Sequence, residues 1–150
     1  LKIYKRIYFT DVMANTIDME GLRHLQLFMN ITRIQTRYCF NYNNMIIFSV
    51  PKPMLSKAVG REGANVKRIS ETLRKRVRIV ASPNGEADLK KFIESIVSPV
   101  TFNEVEIKNN EVILTAGSQT KAALIGRNKR RLLEMKKIIK DFFGKEFKIA

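Results

Sequence analysis

The sequence predicts an α+β protein built from two copies of one structural unit. Helical and strand-like periodicities alternate along the chain, and the order helix–strand–strand–helix–helix–strand occurs twice. A glycine also interrupts the helical pattern at the same place in both copies. We expect the units to span residues 16–82 and 83–150, after an N-terminal extension over residues 1–15. A mobile arm, a remnant of an added sequence and an upstream translation start are all open for this extension.

The first unit is predicted to begin with a helix capped by Asp18. An aspartate side chain accepts a hydrogen bond from the first free amides, and Glu20 in the first turn suits the positive end of the helix dipole. A hairpin follows, because strand-forming residues over 36–40 and 45–50 flank the turn-forming stretch 41–44.

The rest of the first unit reads as two helices and a closing strand. The helical pattern over residues 54–73 is broken only at Gly60 and Gly63. Residues 76–80 then alternate as a short strand, and turn-forming residues at 82–85 separate the two units.

The second unit repeats these elements in the same order. We predict a helix over residues 87–97, a hairpin from strands 100–108 and 111–116, and a helix from Gln119. This helix is broken at residues 126–129 and resumes through Leu132, Met135 and Ile139, and a strand follows over 146–150. The copies align without a gap at an offset of 66 residues, which places 109–139 on 43–73. We therefore interpret the chain as an internal duplication.

Charge is the strongest compositional signal for a partner. The chain has 28 lysines and arginines against 14 aspartates and glutamates, for a net charge of +14 and a pI near 10.2. Such a field attracts polyanions, above all nucleic acid.

Several other classes are disfavoured by the composition. The chain has one cysteine, Cys39, and one histidine, His24, which is too few for a disulfide framework or a thiolate zinc site. The acidic residues are scattered and form no nucleophile–base pattern, so we expect neither an enzyme nor a cofactor. No apolar run approaches the length of a membrane span. A cytoplasmic monomer is the expectation.

The glycine breaks are the predicted binding sites. Glycine lets a ligand approach the backbone closely, and the first amides of the following helix have no partner within that helix. The first break reads Gly60-Arg61-Glu62-Gly63, whereas the second carries Lys129 where the last glycine is expected. Such a turn between two helices can hold a sugar–phosphate backbone.

The stretch AVGREGANVKRISETLRKRVRIV, residues 58–80, resembles the K-homology (KH) domain, whose Gly-x-x-Gly loop joins two helices and clamps about four nucleotides. The helix and strand ahead of the loop are similar to the type II form of this domain, a small three-stranded sheet covered on one face by helices. Together with DMEGLRHLQLF and ALIGRNKRR, the tandem arrangement over about residues 16–150 resembles the archaeal NusA-like transcription factors.

This resemblance implies that the protein binds single-stranded RNA and acts in transcription elongation or termination, with RNA polymerase as a partner. At Lys129 the RNA backbone is expected to approach the loop less closely than at a glycine, and the lysine is expected to contact a phosphate through its charge instead. Glu62 places a negative charge beside the expected path of the phosphates. The predicted RNA-binding residues are Gly60, Arg61, Glu62, Gly63, Lys57, Lys67 and Arg68 in the first unit and Gly126, Arg127, Asn128, Lys129, Arg130 and Arg131 in the second. Candidate apolar contacts for bases are Val59, Val66, Ile69, Ile125, Leu132 and Met135, with the alternative that most of them build the core and only one or two touch a base.

Two alternatives stay open at this point. A ribosome-associated or RNA-assembly protein would share the KH units and bind structured RNA. An adaptor for protein partners would use the hairpin over residues 102–116, the less basic part of the second unit. Duplex DNA is disfavoured because the loops lack side chains arranged to read a groove.

Overall fold

The structure is a computed structural model that describes residues 18–150. The predicted N-terminal extension over residues 1–15 and the first two residues of the first predicted domain lie outside the described residues. The described chain divides after Ser82 into two compact units. Within residues 18–150, each unit has three α-helices and one three-stranded sheet, which confirms the predicted α+β class.

Both units follow the predicted order of elements. The first unit consists of α1 (Met19–Thr32), β1 (Tyr38–Tyr42), β2 (Met45–Val50), α2 (Leu55–Val59), α3 (Ala64–Leu73) and β3 (Arg76–Ala81). The second unit consists of α4 (Leu89–Val97), β4 (Glu104–Lys108), β5 (Glu111–Thr115), α5 (Ser118–Ile125), α6 (Arg130–Phe143) and β6 (Glu146–Ile149).

The two sheets share one topology. The middle strand, β2 or β5, is antiparallel to the preceding hairpin strand and parallel to the closing strand. The parallel pairing requires a crossover, and the two helices that flank the glycine loop provide it. The loop is therefore held between two helices that connect neighbouring strands of one sheet.

The first hairpin turn is tighter than the sequence suggested, and the second lies at Asn109 and Asn110 as predicted. Asn43 and Asn44 have φ of 53° and 58°, as a two-residue type I′ turn requires, and Asn109 and Asn110 repeat this with 54° and 62°. The predicted turn over 41–44 is therefore too long. Tyr42 belongs to β1 because its side chain is buried and it pairs with Met45.

The core of the first unit lies between the sheet and its helices. The rings of Phe28 on α1 and Phe48 on β2 stack with their centroids 4.6 Å apart. Ile69 on α3 is completely buried in the same cluster. All of β2 is buried, including Ser49 on the opposite face from Phe48.

The second unit has an equivalent core with a longer last helix. Ile93 on α4, Leu114 on β5 and Ile139 on α6 are completely buried. α6 has 14 residues where α3 has 10, so the closing strand starts four residues later than the offset of 66 implies. Because an α-helix has 3.6 residues per turn, an addition of this size keeps the same helix face toward the core.

Candidate nucleic-acid interface

The first glycine loop turns the chain from α2 into α3 through the short segment Arg61–Gly63. Gly60 has φ 82° and ψ 167°, and Gly63 has φ 74° and ψ 20°. Glu62 also has a positive φ of 54°. Arg61 and Glu62 are exposed and the two glycines are half-buried, so the loop is open to solvent.

The two glycines of this loop have different surroundings. A Cβ at Gly60 would lie 3.0 Å from the side chain of Asn65, whereas a Cβ at Gly63 would meet nothing within 4 Å. Gly60 is therefore needed for packing within the unit. The space beside Gly63 is free for a ligand.

Asn65, on the first turn of α3, braces the loop. Its side-chain Nδ2 donates to the carbonyl oxygens of Ala58 at 3.1 Å and Lys57 at 3.3 Å. These carbonyls belong to the end of α2, where helix carbonyls lack intrahelical partners. Sequence reasoning missed this role, although a small amide two residues after the second glycine was the available signal.

The second loop follows the same backbone path. Gly126 has φ 75° and ψ 171°, Asn128 has φ 56°, and Lys129 has φ 60° and ψ 23°. Lys129 thus takes the left-handed conformation of Gly63, and its side chain starts where the first loop leaves open space. The predicted departure from the glycine pattern changes the chemistry of the loop and leaves its shape unchanged.

Arg131 occupies the position of Asn65 in the second unit. A Cβ at Gly126 would lie 2.5 Å from Cγ of Arg131. The guanidinium is paired with Glu134, and the Arg131 side chain is only 14% exposed. This geometry favours a role in bracing the loop over a direct phosphate contact.

The remaining predicted cations are displayed to solvent. No described carboxylate lies within salt-bridge distance of any of them. Their charge is therefore available to a polyanion. These exposed cations are Lys57, Arg61, Lys67 and Arg68 in the first unit and Arg127, Lys129 and Arg130 in the second.

The predicted apolar base contacts fall into two groups. Ile69 is completely buried and Met135 is nearly so, which corrects the expectation that they face a base, because both belong to the core. Val59 and Val66 are half-buried beside the first loop, and Ile125 and Leu132 are half-buried beside the second.

Other chemistry is not indicated in the part of the chain that the structure describes. No group of three or more His, Cys, Asp or Glu side chains there could hold a metal ion. Burial raises the pKa of the Cys39 thiol to about 12, which suppresses the reactive thiolate. None of the helices between residues 18 and 150 combines the length and apolar character of a membrane span.

The fold and the paired loops define a duplicated α+β protein with an exposed, cationic corner between two helices in each unit. No protein-family model matches the chain. It is 30% identical over 98 residues to "Probable transcription termination protein NusA" of Halococcus morrhuae, covering 65% of this chain and 68% of that protein. The chain belongs to this family of archaeal NusA-like proteins.

Further comparisons extend the likeness to most of the chain. A protein of the same name from Thermoplasma acidophilum is 23% identical over 133 residues, which are 86% of this chain and 90% of that one. The crystal structure of APE1850 matches at a TM-score of 0.61 with 26% identity, covering 89% of this chain and all of that chain. The resemblance to the archaeal NusA-like proteins noted in the sequence is confirmed.

Proposed function

We propose that the protein is a transcription elongation or termination factor that holds single-stranded RNA at its two glycine loops. The names of its relatives support the role in transcription. Each unit, over residues 16–82 and 83–150, is in this proposal a type II KH domain. The order of elements and the position of the loop between two helices support that assignment.

The repeated loop is the observation that carries the proposal. The same exposed backbone path occurs twice, and beside each loop lie exposed cations that have no described carboxylate within salt-bridge distance. A loop that only connects two helices would gain nothing from these cations, because like charges repel one another. A bound polyanion would neutralise that repulsion.

In the first unit the strand would lie with its sugar–phosphate backbone against the loop. The open space at Gly63 admits close approach, and the exposed Arg61 side chain would meet a phosphate. Bases would turn toward the half-buried Val59 and Val66. Because no aromatic residue lies within or beside the loop in the sequence, stacking contributes little, and we expect modest sequence preference.

Replacement of both central residues of the first loop by aspartate tests this proposal. R61D/E62D should weaken binding of a single-stranded RNA oligomer by about tenfold or more at low salt, because a phosphate contact is replaced by repulsion. Circular dichroism and the melting temperature should stay near wild type, because both side chains are exposed.

The matched control changes the same net charge at a distance from the loop. Arg23→Asp alters an exposed cation on α1 and removes two units of charge, as the double variant does. If both variants lose affinity equally, only overall charge matters. If the double variant binds like wild type, the first loop is not a site.

The salt dependence of binding counts the phosphate contacts. For single strands, log affinity falls with log salt by about 0.7 per contact, so about three contacts in each unit give a slope near −2 for one unit and near −4 for both. A slope near zero would leave the net charge of +14 without the proposed role.

The transcription role needs a test in cells. Crosslinking followed by sequencing of the bound RNA should recover nascent transcripts, and RNA polymerase should copurify with the protein. Recovery of ribosomal RNA with ribosomal components would instead support the ribosome-associated alternative.

A further inference from the structure

Leu133 is an apolar side chain in an unusual place. It is 59% exposed and is the fourth residue of α6, the helix that follows the second glycine loop. The core side of this helix is formed by Met135, Ile138 and Ile139, which are all buried. Leu133 therefore lies on the solvent side and contributes little to folding.

The positions that surround Leu133 on the helix are all cationic. Residues three or four positions apart are neighbours on a helix surface, with Cβ atoms about 5–6 Å apart. The neighbours of Leu133 at these spacings within α6 are Arg130, Lys136 and Lys137, and Lys129 immediately precedes the helix. All four are exposed. Leu133 therefore has a cation at each of its three neighbouring positions on the helix, and a fourth lies at the start of the helix.

The first unit does not share this arrangement. The residue equivalent to Leu133 is Lys67, which is exposed on α3. Its neighbours at the same spacings are Gly63, Ala64, Ser70 and Glu71, none of which is cationic. The leucine with cationic neighbours is therefore a feature of the second unit, and duplication alone does not explain it.

We propose that Leu133 is a base-contacting residue for single-stranded RNA, with the surrounding cations binding the phosphates of the same strand. In single-stranded RNA an exposed base has an apolar face, and the phosphates of the same strand lie beside it. The surface around Leu133 is complementary, because an apolar side chain can contact the base while the neighbouring cations contact the phosphates. The inference rests on the proposed RNA binding and assigns to the second unit a contact that the first unit lacks.

The test compares two probes, an oligouridine and an abasic oligomer with the same number of phosphates. Leu133→Ala should weaken oligouridine binding by about threefold to tenfold, less than the loss of an aromatic stacking residue would cause. The salt slope should stay unchanged, because no phosphate contact is removed. Binding of the abasic oligomer should not change. Leu133→Phe should bind oligouridine more tightly, since an aromatic ring stacks on a base.

A matched control removes another exposed apolar side chain far along the sequence. Met19→Ala changes a residue on α1 that is 66% exposed and should leave both affinities unchanged. Melting curves of all variants should overlay, because neither side chain is in the core.

Three outcomes would overturn the inference: oligouridine affinity unchanged in Leu133→Ala, an equal loss on the abasic oligomer, or an equal loss in Met19→Ala. In the first case an acidic, partly apolar protein segment becomes the better occupant of this surface. Absence of RNA binding by the wild-type protein would be a different result, because it would refute the proposed function itself.

Discussion

Lys129 has nearly the same backbone conformation as Gly63, with φ 60° and ψ 23° in the lysine against φ 74° and ψ 20° in the glycine. The two residues close equivalent loops in the two units. A left-handed conformation costs a residue with a side chain about 1 kcal/mol. Because the second unit has a lysine in this conformation, the backbone path of the loop does not depend on a glycine here, and the two flanking helices determine it. Gly63 is therefore not needed for the shape of the first loop, and its lack of a side chain can instead admit a ligand.

Gly63→Lys should show whether the first loop binds RNA because the RNA can approach its backbone closely or because the loop is positively charged. A Cβ at Gly63 meets nothing within 4 Å, so the fold should lose only about 1 kcal/mol from the positive φ. We expect weaker RNA binding despite the added positive charge, because the side chain fills the space beside the backbone. Titration with RNA and denaturant unfolding measure the two effects.

Gly144→Lys is the matched control for that substitution. Gly144 ends α6 with φ 67°, and a Cβ there also meets nothing within 4 Å. It should show a similar loss of stability with no loss of affinity. Tighter binding by Gly63→Lys would mean that the first loop acts through charge alone.

Lys129→Gly makes the reverse substitution in the second loop, where we expect charge to be the basis of binding. Loss of one phosphate contact should lower RNA affinity and make the salt slope shallower by about 0.7. The free energy of unfolding should change by less than about 1 kcal/mol, because relief of the left-handed strain offsets the greater flexibility of the unfolded chain. Arg74→Gly also replaces a left-handed, exposed cation, at the end of α3, and should leave the slope unchanged. An unchanged slope in Lys129→Gly would remove this lysine from the phosphate contacts.

Local sequence signals predicted the elements of this fold well. Asp18 caps α1 as expected, with Oδ1 accepting from the Gly21 amide at 2.8 Å. The glycine breaks and the duplicated order are also as predicted, because capping, turn chemistry and periodicity are properties of neighbouring residues.

The errors arose where tertiary packing decides. Tyr42 looked like a turn residue, but burial draws it into β1. Ile69 was a candidate both for the core and for a base contact, and its complete burial assigns it to the core. Asn65 and Leu133 were not singled out from the sequence. Their roles depend on which face of the helix lies against the loop and which faces solvent, and one polar or apolar residue does not indicate that orientation.

Asn65→Ala should loosen the first loop without removing any group proposed to contact RNA. The carbonyls of Lys57 and Ala58 lose a donor, and we expect about 1 kcal/mol less stability because the site is partly exposed. The Gly60 amide, which donates to Ser56 O at 3.0 Å, should exchange faster with solvent. RNA affinity should fall in parallel. Asn30→Ala, at an exposed position on α1, is the control and should change neither quantity. Faster exchange with unchanged affinity would show that loop rigidity is irrelevant to binding.

His24 should make the first unit less stable in mild acid. Burial lowers the pKa of His24 below its ordinary 6.5, although Glu20, with Oε1 3.8 Å from Nε2, acts to raise it. Since the unfolded chain then binds more protons than the folded one, the free energy of unfolding falls as pH drops below 6.5 toward the lowered pKa. Denaturant unfolding at several pH values should show this loss in wild type and a flatter profile in His24→Gln. Glu20→Gln removes the opposing carboxylate and should steepen the loss. A wild-type protein that gains stability relative to His24→Gln on acidification would show instead that the carboxylate dominates over burial at this site.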